Sequence, residues 1–322
     1  MKILFCPSVY EIFEERCGPL TTALKDRGHD VRCVINFGTV SGPTYTAISR
    51  WANFEMGPIL DFNPDLIILW NAHFDFMYAA CKWLRKRFKV AVMEMGWFNR
   101  ATHSYLLEDL AQISPLADLP YVSGISAQPH NQEILDVLRA GYDTSLSDIL
   151  LPPNYVFVPM QLDHDTQITY TSGFIKTMDS LIGYVHHVLP KVPIVVRNHP
   201  LSLGTPRGPS VLNLTEQSTS LPLAVRATLT VGVNSTLLAE ILLFKKPVVA
   251  LGKHASEKAF LGTGAIHQTY LSLRDGYKAP DWDDHCDYRS LVLTMNQWST
   301  IDIPGWLIDK IEALDFSPRI PT

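Results

Sequence analysis

The 322-residue sequence contains no apolar run long enough to cross a membrane, no internal repeat and no low-complexity segment. Its first residues become acidic at Glu11 and Glu14, which is too early for a secretory signal. Five cysteines, at positions 6, 17, 33, 81 and 286, show no metal-type spacing, and their odd number favours reduced thiols. These absences predict a cytoplasmic protein without a metal site or a disulfide framework.

Positive charge is also scarce, because the net charge is −5. This balance excludes a global field for nucleic acid or an anionic membrane, but it does not exclude a local patch. The one local candidate is the segment from Lys82 to Lys89, in which Trp83 and Phe88 are interleaved with five cations. Cations near a helix C-terminus are ordinary partners of the helix dipole, so a solvated face is the favoured interpretation. Binding of an anionic acceptor is the alternative.

The length and the pattern of apolar residues predict an α/β chain of two domains. The chain opens with a strand at Lys2–Cys6, a helix from about residue 12 to Asp26 that stops at Gly28, and a strand at Asp30–Ile35. No G-x-G-x-x-G follows the first strand, so a dinucleotide site there is not expected. We predict a Rossmann-like domain at residues 1–150, a second at 151–300, and a C-terminal helix and tail at 301–322 that could pack back on the first domain.

The stretch from Leu229 to His254 reads as a buried strand, a short helix and a second buried strand, the pattern of a parallel β-α-β unit. The turn Asn234-Ser235-Thr236 lies between the first strand and the helix. In such sheets ligands collect outside the carboxyl ends of the strands, where helix N-termini present unpaired N–H groups. The turn is therefore a candidate phosphate site, and plain helix capping is the alternative.

Other predicted strands also end in polar residues. Glu94 follows a strand near residue 90, and Gln161, Asp163, His164 and Asp165 follow a strand at residues 155–160. His199 stands between Asn198 and Pro200 after a third strand. Clustered carboxylates and histidines can shift one another's pKa values toward acid–base chemistry, although a solvated turn would look the same in the sequence.

These residues fall into short motifs that occur in a fixed order. The motifs are E-x-G-[WY] (Glu94, Gly96, Trp97), Q-x-x-x-D-x-x-I (Gln161, Asp165, Ile168), N-H-P (Asn198 to Pro200), N-S-T-x-x-x-E (Asn234, Ser235, Thr236, Glu240), K-P-V (Lys246 to Val248) and G-K-H (Gly252, Lys253, His254). The order resembles the capsule-polysaccharide-synthesis glycosyltransferases, the group that includes the bacterial Kdo transferases acting on capsule lipid linkers. The resemblance covers roughly residues 60 to 260.

The resemblance implies a GT-B fold, in which two Rossmann-like domains face each other across a cleft and the second holds a nucleotide sugar. It implies that His199 and the helix start at Ser235-Thr236 bind the phosphates, and that Glu240 lies at the nucleotide ribose or its surroundings. It makes Asp165 the catalytic carboxylate. The donor stays open between CMP-linked and UDP-linked sugars, because Lys253-His254-Ala255 stands where members often carry an aromatic residue.

The expected reaction is transfer of a sugar to a hydroxyl group without a metal ion. A helix start, His199 and Lys253 would offset the charge that grows on the leaving nucleotide. Asp165 would act as a base in an inverting reaction or as a nucleophile in a retaining one, and the sequence does not distinguish them. Glu94, Asp163 and His164 are the alternative bases.

The acceptor stays open at this stage. A glycan or lipid-linked saccharide is the first expectation, and a hydroxymethylated base in DNA, as in phage DNA glycosyltransferases, is the second. A GT-B-like epimerase or hydrolase of nucleotide sugars is a further alternative. A binding module without catalysis is the least favoured reading, since three strand ends carry acid–base residues.

Overall fold

The structure is a computed structural model, and it describes residues 1–6, 17–35, 45–47, 57–70, 81–95, 98, 104–107, 129–146, 149–169, 172–200, 202, 211–214, 219–252, 308 and 311–312. The chain forms two compact units. The first consists of Met1–Gly96, Arg100–Ala111 and Trp298–Thr322, and the second of Trp97–Asn99 and Gln112–Gln297.

Six strands among the described residues form the sheet of the first unit. They are β1 (Lys2–Cys6), β2 (Asp30–Ile35), β3 (Tyr45–Ala47), β4 (Leu66–Trp70), β5 (Lys89–Met95) and β6 (Ser104–Leu107). Their order across the sheet is β3-β2-β1-β4-β5-β6. The first five run parallel, and β6 is antiparallel to β5. This order of the parallel strands is that of a Rossmann half.

Both faces of this sheet are covered, which explains why its strands read as continuous apolar runs. One face carries Ile3, Phe5 and Ile68, and packs against Leu20 and Leu24. The last two belong to helix α1 (Gly18–Asp26). The opposite face is formed by the alternate strand residues and packs against helix α2 (Gly57–Phe62) and residues 81–84, which are also helical. Strand alternation therefore sorts one apolar run into two cores.

Helix α1 ends where the sequence predicted, at Gly28. This glycine has a φ of +84°, a backbone conformation that residues with a Cβ rarely adopt. The N–H of Gly28 donates to the carbonyl of Lys25, and the N–H of His29 donates to that of Leu24. These bonds satisfy the last helical carbonyls and turn the chain into β2.

Three residues near the C-terminus are described, and all three lie in the first unit. Ile308 and Ile311 are helical, and both are buried in the core beside α1. Glu312 accepts hydrogen bonds from His29 at 3.0 Å and from Arg27 at 2.7 Å, and these partners hold the pKa of its carboxyl below the usual value. The predicted return of a C-terminal helix to the first domain is visible in these contacts.

Five strands among the described residues form the sheet of the second unit, and all neighbours are parallel. They are β7 (Val156–Pro159), β8 (Ile194–Arg197), β9 (Val211–Asn213), β10 (Leu229–Gly232) and β11 (Val248–Ala250), in the order β11-β10-β7-β8-β9. The described helices are α3 (Pro129–Ala140), α4 (Thr166–Thr169), α5 (Met178–Val188), α6 (Ser220–Arg226) and α7 (Leu237–Leu242).

The core of the second unit is also built from a parallel sheet with helices packed on its two faces. Leu181, Ile182 and Val185 of α5 pack on one face of the sheet, against Val158 and Val231 among others. On the other face, the hydroxyl of Tyr155 donates to the Leu223 carbonyl of α6 at 2.6 Å, and burial raises the pKa of this tyrosine to about 12.

Most predicted elements are present, with shifts of a few residues. The predicted strand near residue 90 is longer than expected because the antiparallel strand β6, which the sequence did not suggest, extends its pairing to Met95. Glu94 therefore lies within β5 and pairs with Tyr105. Helix α5 starts at Met178 and not near residue 173, since Thr177 caps it. The predicted helix near residues 288–298 and the start of the first helix lie outside the described residues.

The division of the chain at residue 150 stays a prediction. Helix α3, which precedes that position, belongs to the second compact unit. Among the described residues, no helix is long and apolar enough to cross a membrane.

Candidate functional site

The second sheet has a topological switch point between β7 and β10. From β7 the chain moves to β8 and β9 on one side, and it then returns to place β10 and β11 on the other side. Ligands of open α/β sheets bind outside the carboxyl ends of the strands at such a point, because the connecting helices depart to opposite faces there. The residues after β7 and β10 are therefore the first candidates for a site.

Gln161 and Asn234 meet at this switch point. The Gln161 side-chain amide donates to Oδ1 of Asn234 at 3.0 Å, and its oxygen accepts from the Asn234 backbone N–H at 3.3 Å. Gln161 follows β7 and Asn234 follows β10, so this reciprocal pair joins the two strand ends. Asn234 is buried, and its pairing satisfies the polar groups that burial removes from water. The sequence marked both residues but did not predict their mutual contact.

The turn Asn234-Ser235-Thr236 leads directly into α7. The Ser235 hydroxyl accepts from the N–H of Leu237 at 3.3 Å, a local turn bond, whereas Thr236, the N-cap residue, makes no side-chain capping bond. The N–H groups of Leu238 and Ala239 bond to the carbonyls of Ser235 and Thr236. The backbone N–H groups of Ser235 and Thr236 themselves have no hydrogen-bond partner within the described part of the chain. Side-chain capping of α7, the alternative that the sequence offered, is therefore not seen at Thr236, and two backbone donors are left for a ligand.

Gly252 closes this edge on the β11 side. Its N–H donates to the Val233 carbonyl at 2.8 Å. A Cβ at Gly252 would lie 2.8 Å from Cγ1 of Val233 and 3.3 Å from Nδ2 of Asn234, so the position has room only for glycine. The glycine of the G-K-H motif thus permits the close approach of β11 to the Asn234 turn.

The Gln161–Asp165 loop is fixed at several points. Gln161 donates its backbone N–H to Sδ of Met178 at 3.1 Å. The backbone N–H of Asp165 donates to the Leu162 carbonyl, and the backbone carbonyl of Asp165 accepts from the N–H groups of Ile168 and Thr169, each at 2.9 Å. Ile168 is fully buried in the core beneath. The spacing Q-x-x-x-D-x-x-I therefore has a physical basis, because a buried isoleucine anchors the half-buried aspartate at the start of α4.

The two neighbours of Asp165 in this loop behave differently from it. The carboxylate of Asp163 accepts from the N–H of Met178 at 2.7 Å, and this contact satisfies an unpaired donor at the start of α5. This hydrogen bond gives Asp163 a structural role that requires no part in catalysis. His164 is exposed and makes no hydrogen bond within the described residues.

Asn198 and His199 follow β8, the neighbour of β7 on the other side. The N–H of Met160 donates to the Arg197 carbonyl at 3.0 Å, which aligns the ends of these two strands. Asn198 is buried, His199 is half-buried, and the His199 carbonyl accepts from the N–H of Ser202 at 2.8 Å. His199 therefore lies on the same edge of the sheet as the Asn234 turn.

Glu240 is held by residues that the sequence did not mark. The hydroxyl of Tyr142 donates to Oε1 of Glu240 at 3.4 Å, and the Tyr142 ring packs edge-on against Phe244. Arg139 of α3 donates through Nε to the Leu243 carbonyl at the end of α7. A cation at that end favours the helix dipole. The sequence predicted a helix at His130 to Ala140, but no pattern indicated what it packs against.

Two predicted site residues cannot be placed with the others. Lys253 lies outside the described residues, and of Glu94 only the backbone is described. Among the described residues, no group of three or more histidine, cysteine, aspartate or glutamate side chains could hold a metal ion.

The basic segment from Lys82 to Lys89 lies at the end of the first sheet where its parallel strands begin. Lys89 is the first residue of β5, beside Leu66, the first residue of β4. The segment therefore lies at the amino edge of the first sheet, about 20 Å along β5 from its carboxyl end. The guanidinium of Arg87 stacks on Trp83, 4.6 Å from the ring centroid, and Trp83 and Phe88 pack against the core.

Comparison with known proteins adds information on the fold. KpsC of Thermosulfurimonas dismutans, described as a beta Kdo 2,7 transferase, is 16% identical, with 92% of this chain and 91% of that chain covered and a TM-score of 0.53. Its beta Kdo 2,4 transferase structure is 12% identical, with 89% of each chain covered and a TM-score of 0.49. A putative UDP-N-acetylglucosamine 2-epimerase from Listeria monocytogenes is 13% identical, with 100% and 99% covered and a TM-score of 0.36.

No protein-family model matches the chain, and no curated protein sequence matches it. At 16% identity the likeness shows the fold alone. The chain has a two-domain Rossmann-like fold of the GT-B class, similar to that of the KpsC Kdo transferase. The fold predicted from the sequence, and its resemblance to the Kdo transferases, are thereby confirmed.

Proposed function

We propose that the protein is a glycosyltransferase that moves a sugar from a nucleotide-sugar donor to a hydroxyl group. The observation that carries the proposal is that three adjacent strands, β10, β7 and β8, are followed by polar residues at the same carboxyl edge of one sheet. Gln161 and Asp165 follow β7, His199 follows β8, and the Asn234 turn follows β10. A GT-B fold and a polar carboxyl edge in its second Rossmann-like unit are the features such an enzyme needs.

The phosphate part of the donor meets the turn after β10. The backbone N–H groups of Ser235 and Thr236 are preformed donors, and preformed donors stabilise charge that grows on a leaving nucleotide without reorganising. His199 and Lys253 complete this group in the proposal. Glu240 binds the nucleotide ribose, and the hydroxyl of Tyr142 orients the Glu240 carboxylate. Since these donors supply the positive potential, turnover should persist in EDTA.

Asp165 is the proposed catalytic carboxylate. Its backbone is fixed by hydrogen bonds on both sides, so its side chain departs from a rigid point near the Gln161–Asn234 pair. A fixed carboxylate can deprotonate an acceptor or attack the anomeric carbon, and both routes stay open. Glu94, Asp163 and His164 are weaker candidates, and Asp163 already caps α5.

The proposed acceptor is a glycan or a lipid-linked saccharide, and the donor nucleotide is CMP or UDP. A DNA acceptor would depend on the basic segment from Lys82 to Lys89. That segment lies at the amino edge of the first sheet, whereas ligands of parallel sheets bind at the carboxyl edge. Duplex DNA binding that weakens steeply with salt and disappears in a Lys82/Arg85/Lys86 charge-removal variant would favour the DNA acceptor instead.

The proposal is tested by thermal unfolding with UDP, CMP, GDP and ADP. A ligand that binds the folded state at 100 times its Kd raises the free energy of unfolding by about 2.7 kcal/mol. At least one nucleotide should raise Tm, and no shift with any of them would overturn the proposal. Free sugar or an epimer released without an acceptor would indicate an epimerase or hydrolase.

Two variants at one position locate the nucleotide. Thr236 has a φ of −58°, which suits proline, so Thr236→Pro removes the backbone N–H with little strain at that residue. Thr236→Ala removes the hydroxyl and the γ-methyl group but keeps the backbone N–H, and it is the matched control. Weaker nucleotide binding in Thr236→Pro than in Thr236→Ala is expected, and equal binding would remove the turn from the site.

A further inference from the structure

The loop between α4 and α5 lies beside the proposed site, although no motif marks it. Ser172 pairs with Gly252 in an isolated antiparallel bridge. Gly252 in turn lies against Val233 and Asn234, where a Cβ would come within 3.3 Å of the Asn234 side chain. Gly252 therefore lies between Ser172 and the turn at the carboxyl end of β10.

The Ser172 hydroxyl is a buried polar group. The residue is 4% exposed, and its Oγ has no hydrogen-bond partner among the residues that the structure describes. Buried hydroxyls are nearly always hydrogen-bonded, since water has been removed from them, so an unpaired one calls for an explanation. A ligand that accepts a hydrogen bond is one such explanation, and it requires that the hydroxyl lie next to a site.

A second buried hydroxyl of this unit provides the comparison. Thr230 is 1% exposed, and its Oγ1 also has no hydrogen-bond partner in the described part of the chain. It lies within β10, where its neighbours across the strands are Phe157 and Val248. Thr230 is therefore enclosed by the sheet, whereas Ser172 lies at its carboxyl edge. The two hydroxyls share burial and lack of a partner, and they differ in position.

A cation is fixed in the loop with Ser172. The Lys176 ammonium donates to the carbonyl of Ser172 at 2.6 Å and to that of Thr169 at 3.0 Å. An ammonium has three donors, and the third has no partner within the described residues. Lys176 is exposed, so this donor faces solvent in the absence of a ligand.

We infer that Ser172 and Lys176 form an anion subsite that binds a phosphate group of the donor nucleotide. The inference rests on the proposed function, because it needs a nucleotide at the carboxyl edge of the second sheet. Ser172 donates its O–H to a phosphate oxygen, and Lys176 donates its third N–H and contributes charge. Phosphate is the class that fits, since it accepts several hydrogen bonds and is attracted by an ammonium.

The test uses the full chain and the nucleotides UDP, CMP, GDP and ADP, with Kd measured by calorimetry. Ser172→Ala should weaken binding of the preferred nucleotide roughly tenfold, because a hydrogen bond to a charged group is lost. Lys176→Met should weaken it by roughly three- to tenfold and reduce the dependence of Kd on salt. Neither change should alter the weaker binding of the corresponding nucleoside, which has no phosphate.

Each variant has a matched control. Thr230→Val removes the other unpaired buried hydroxyl, and Lys191→Met removes a different exposed cation of the second unit. Both controls should bind the nucleotide like the wild type. Ser172→Ala and Thr230→Val should both leave Tm unchanged or raise it, since each removes a hydroxyl that makes no bond.

The outcomes separate the two proposals. If the wild type binds none of the four nucleotides, the proposed function fails and the subsite fails with it. If the wild type binds one of them, and Ser172→Ala and Lys176→Met bind it equally well, only the subsite is overturned. If Ser172→Ala fails to fold, Lys176→Met and its control still decide the matter.

Discussion

The two sheets share one strand order but bury different side chains. Both place their parallel strands in the order 3-2-1-4-5, with apolar cores on both faces. Among the described residues, the first unit buries the thiols of Cys6, Cys17, Cys33 and Cys81 and one polar side chain, that of Thr21. The second buries four polar side chains, those of Ser172, Asn198, Thr230 and Asn234.

This difference supports the proposal that the second unit binds the donor nucleotide. A buried polar group costs free energy unless something pairs with it, so a fold keeps such groups where they serve a purpose. Three of the four in the second unit lie at or next to the carboxyl ends of strands. The scaffold is thus common to both units, and the placement of polarity distinguishes them.

The largest expected effect tests the second unit as the catalytic one. Asp165→Ala should lower the rate of sugar transfer by roughly 10²- to 10⁴-fold, because a positioned acid–base group is lost, while nucleotide affinity stays unchanged. The rate is measured with excess donor and acceptor, and affinity by calorimetry. Asp179→Ala, which removes an exposed carboxylate of α5, is the control. Transfer at the wild-type rate in Asp165→Ala would contradict the assignment.

The next effect tests the first unit as a unit that includes the C-terminal helix. Ile311→Ala removes a fully buried side chain from the core beside α1 and should lower the free energy of unfolding by about 2–5 kcal/mol. Urea unfolding followed by tryptophan fluorescence measures it. Glu312→Gln, at the exposed ion pair next to it, is the control and should change much less. A small effect of Ile311→Ala would mean that the C-terminal segment contributes little to the stability of that core.

Gly252→Ala probes the close approach at the polar edge of the second unit. Its Cβ would lie 2.8 Å from Val233, so we expect a loss of about 1–3 kcal/mol in the free energy of unfolding and weaker nucleotide binding. Gly183→Ala on α5 meets no atom within 4 Å and should instead stabilise by about 0.5–1 kcal/mol. Urea unfolding of both variants measures the contrast. Equal effects would show that the edge is not tightly packed.

The last prediction concerns the thiols of the first unit and is measured as a dependence of stability on pH. Burial raises the pKa of Cys33 and of Cys81 to about 12, and it also raises that of Cys6. Above pH 9 the unfolded thiols lose protons that the folded thiols keep. Stability is therefore full below pH 9 and falls as pH rises, by about 1.4 kcal/mol per pH unit for each thiol.

Unfolding between pH 8.5 and 10 measures this slope, below the range in which Tyr155 of the second unit begins to contribute with the same sign. A Cys33→Ala/Cys81→Ala variant should have a shallower slope, whatever its absolute stability. An unchanged slope would mean that the thiols do not cause it.

Most of the strands could be predicted from the amino-acid sequence. Continuous apolar runs such as Leu66–Trp70 suit only a sheet covered on both faces, and Gly28 marks a helix stop because its positive φ favours glycine. The order of the polar motifs placed Gln161, His199 and Asn234 after successive strands. Short elements such as β3 and α4 escaped notice, since three or four residues carry too little periodicity.

The contacts between these residues could not be predicted from the sequence. The pairing of Gln161 with Asn234 spans 73 positions of the sequence, and it depends on β10 returning to the side of β7 opposite β8. The Tyr142–Glu240 contact spans 98 positions, and the Ser172–Gly252 bridge also joins distant segments of the chain. Local sequence sets the conformation of each segment, but contacts between segments depend on the order in which the strands pack. That order is set by the free energy of the whole core.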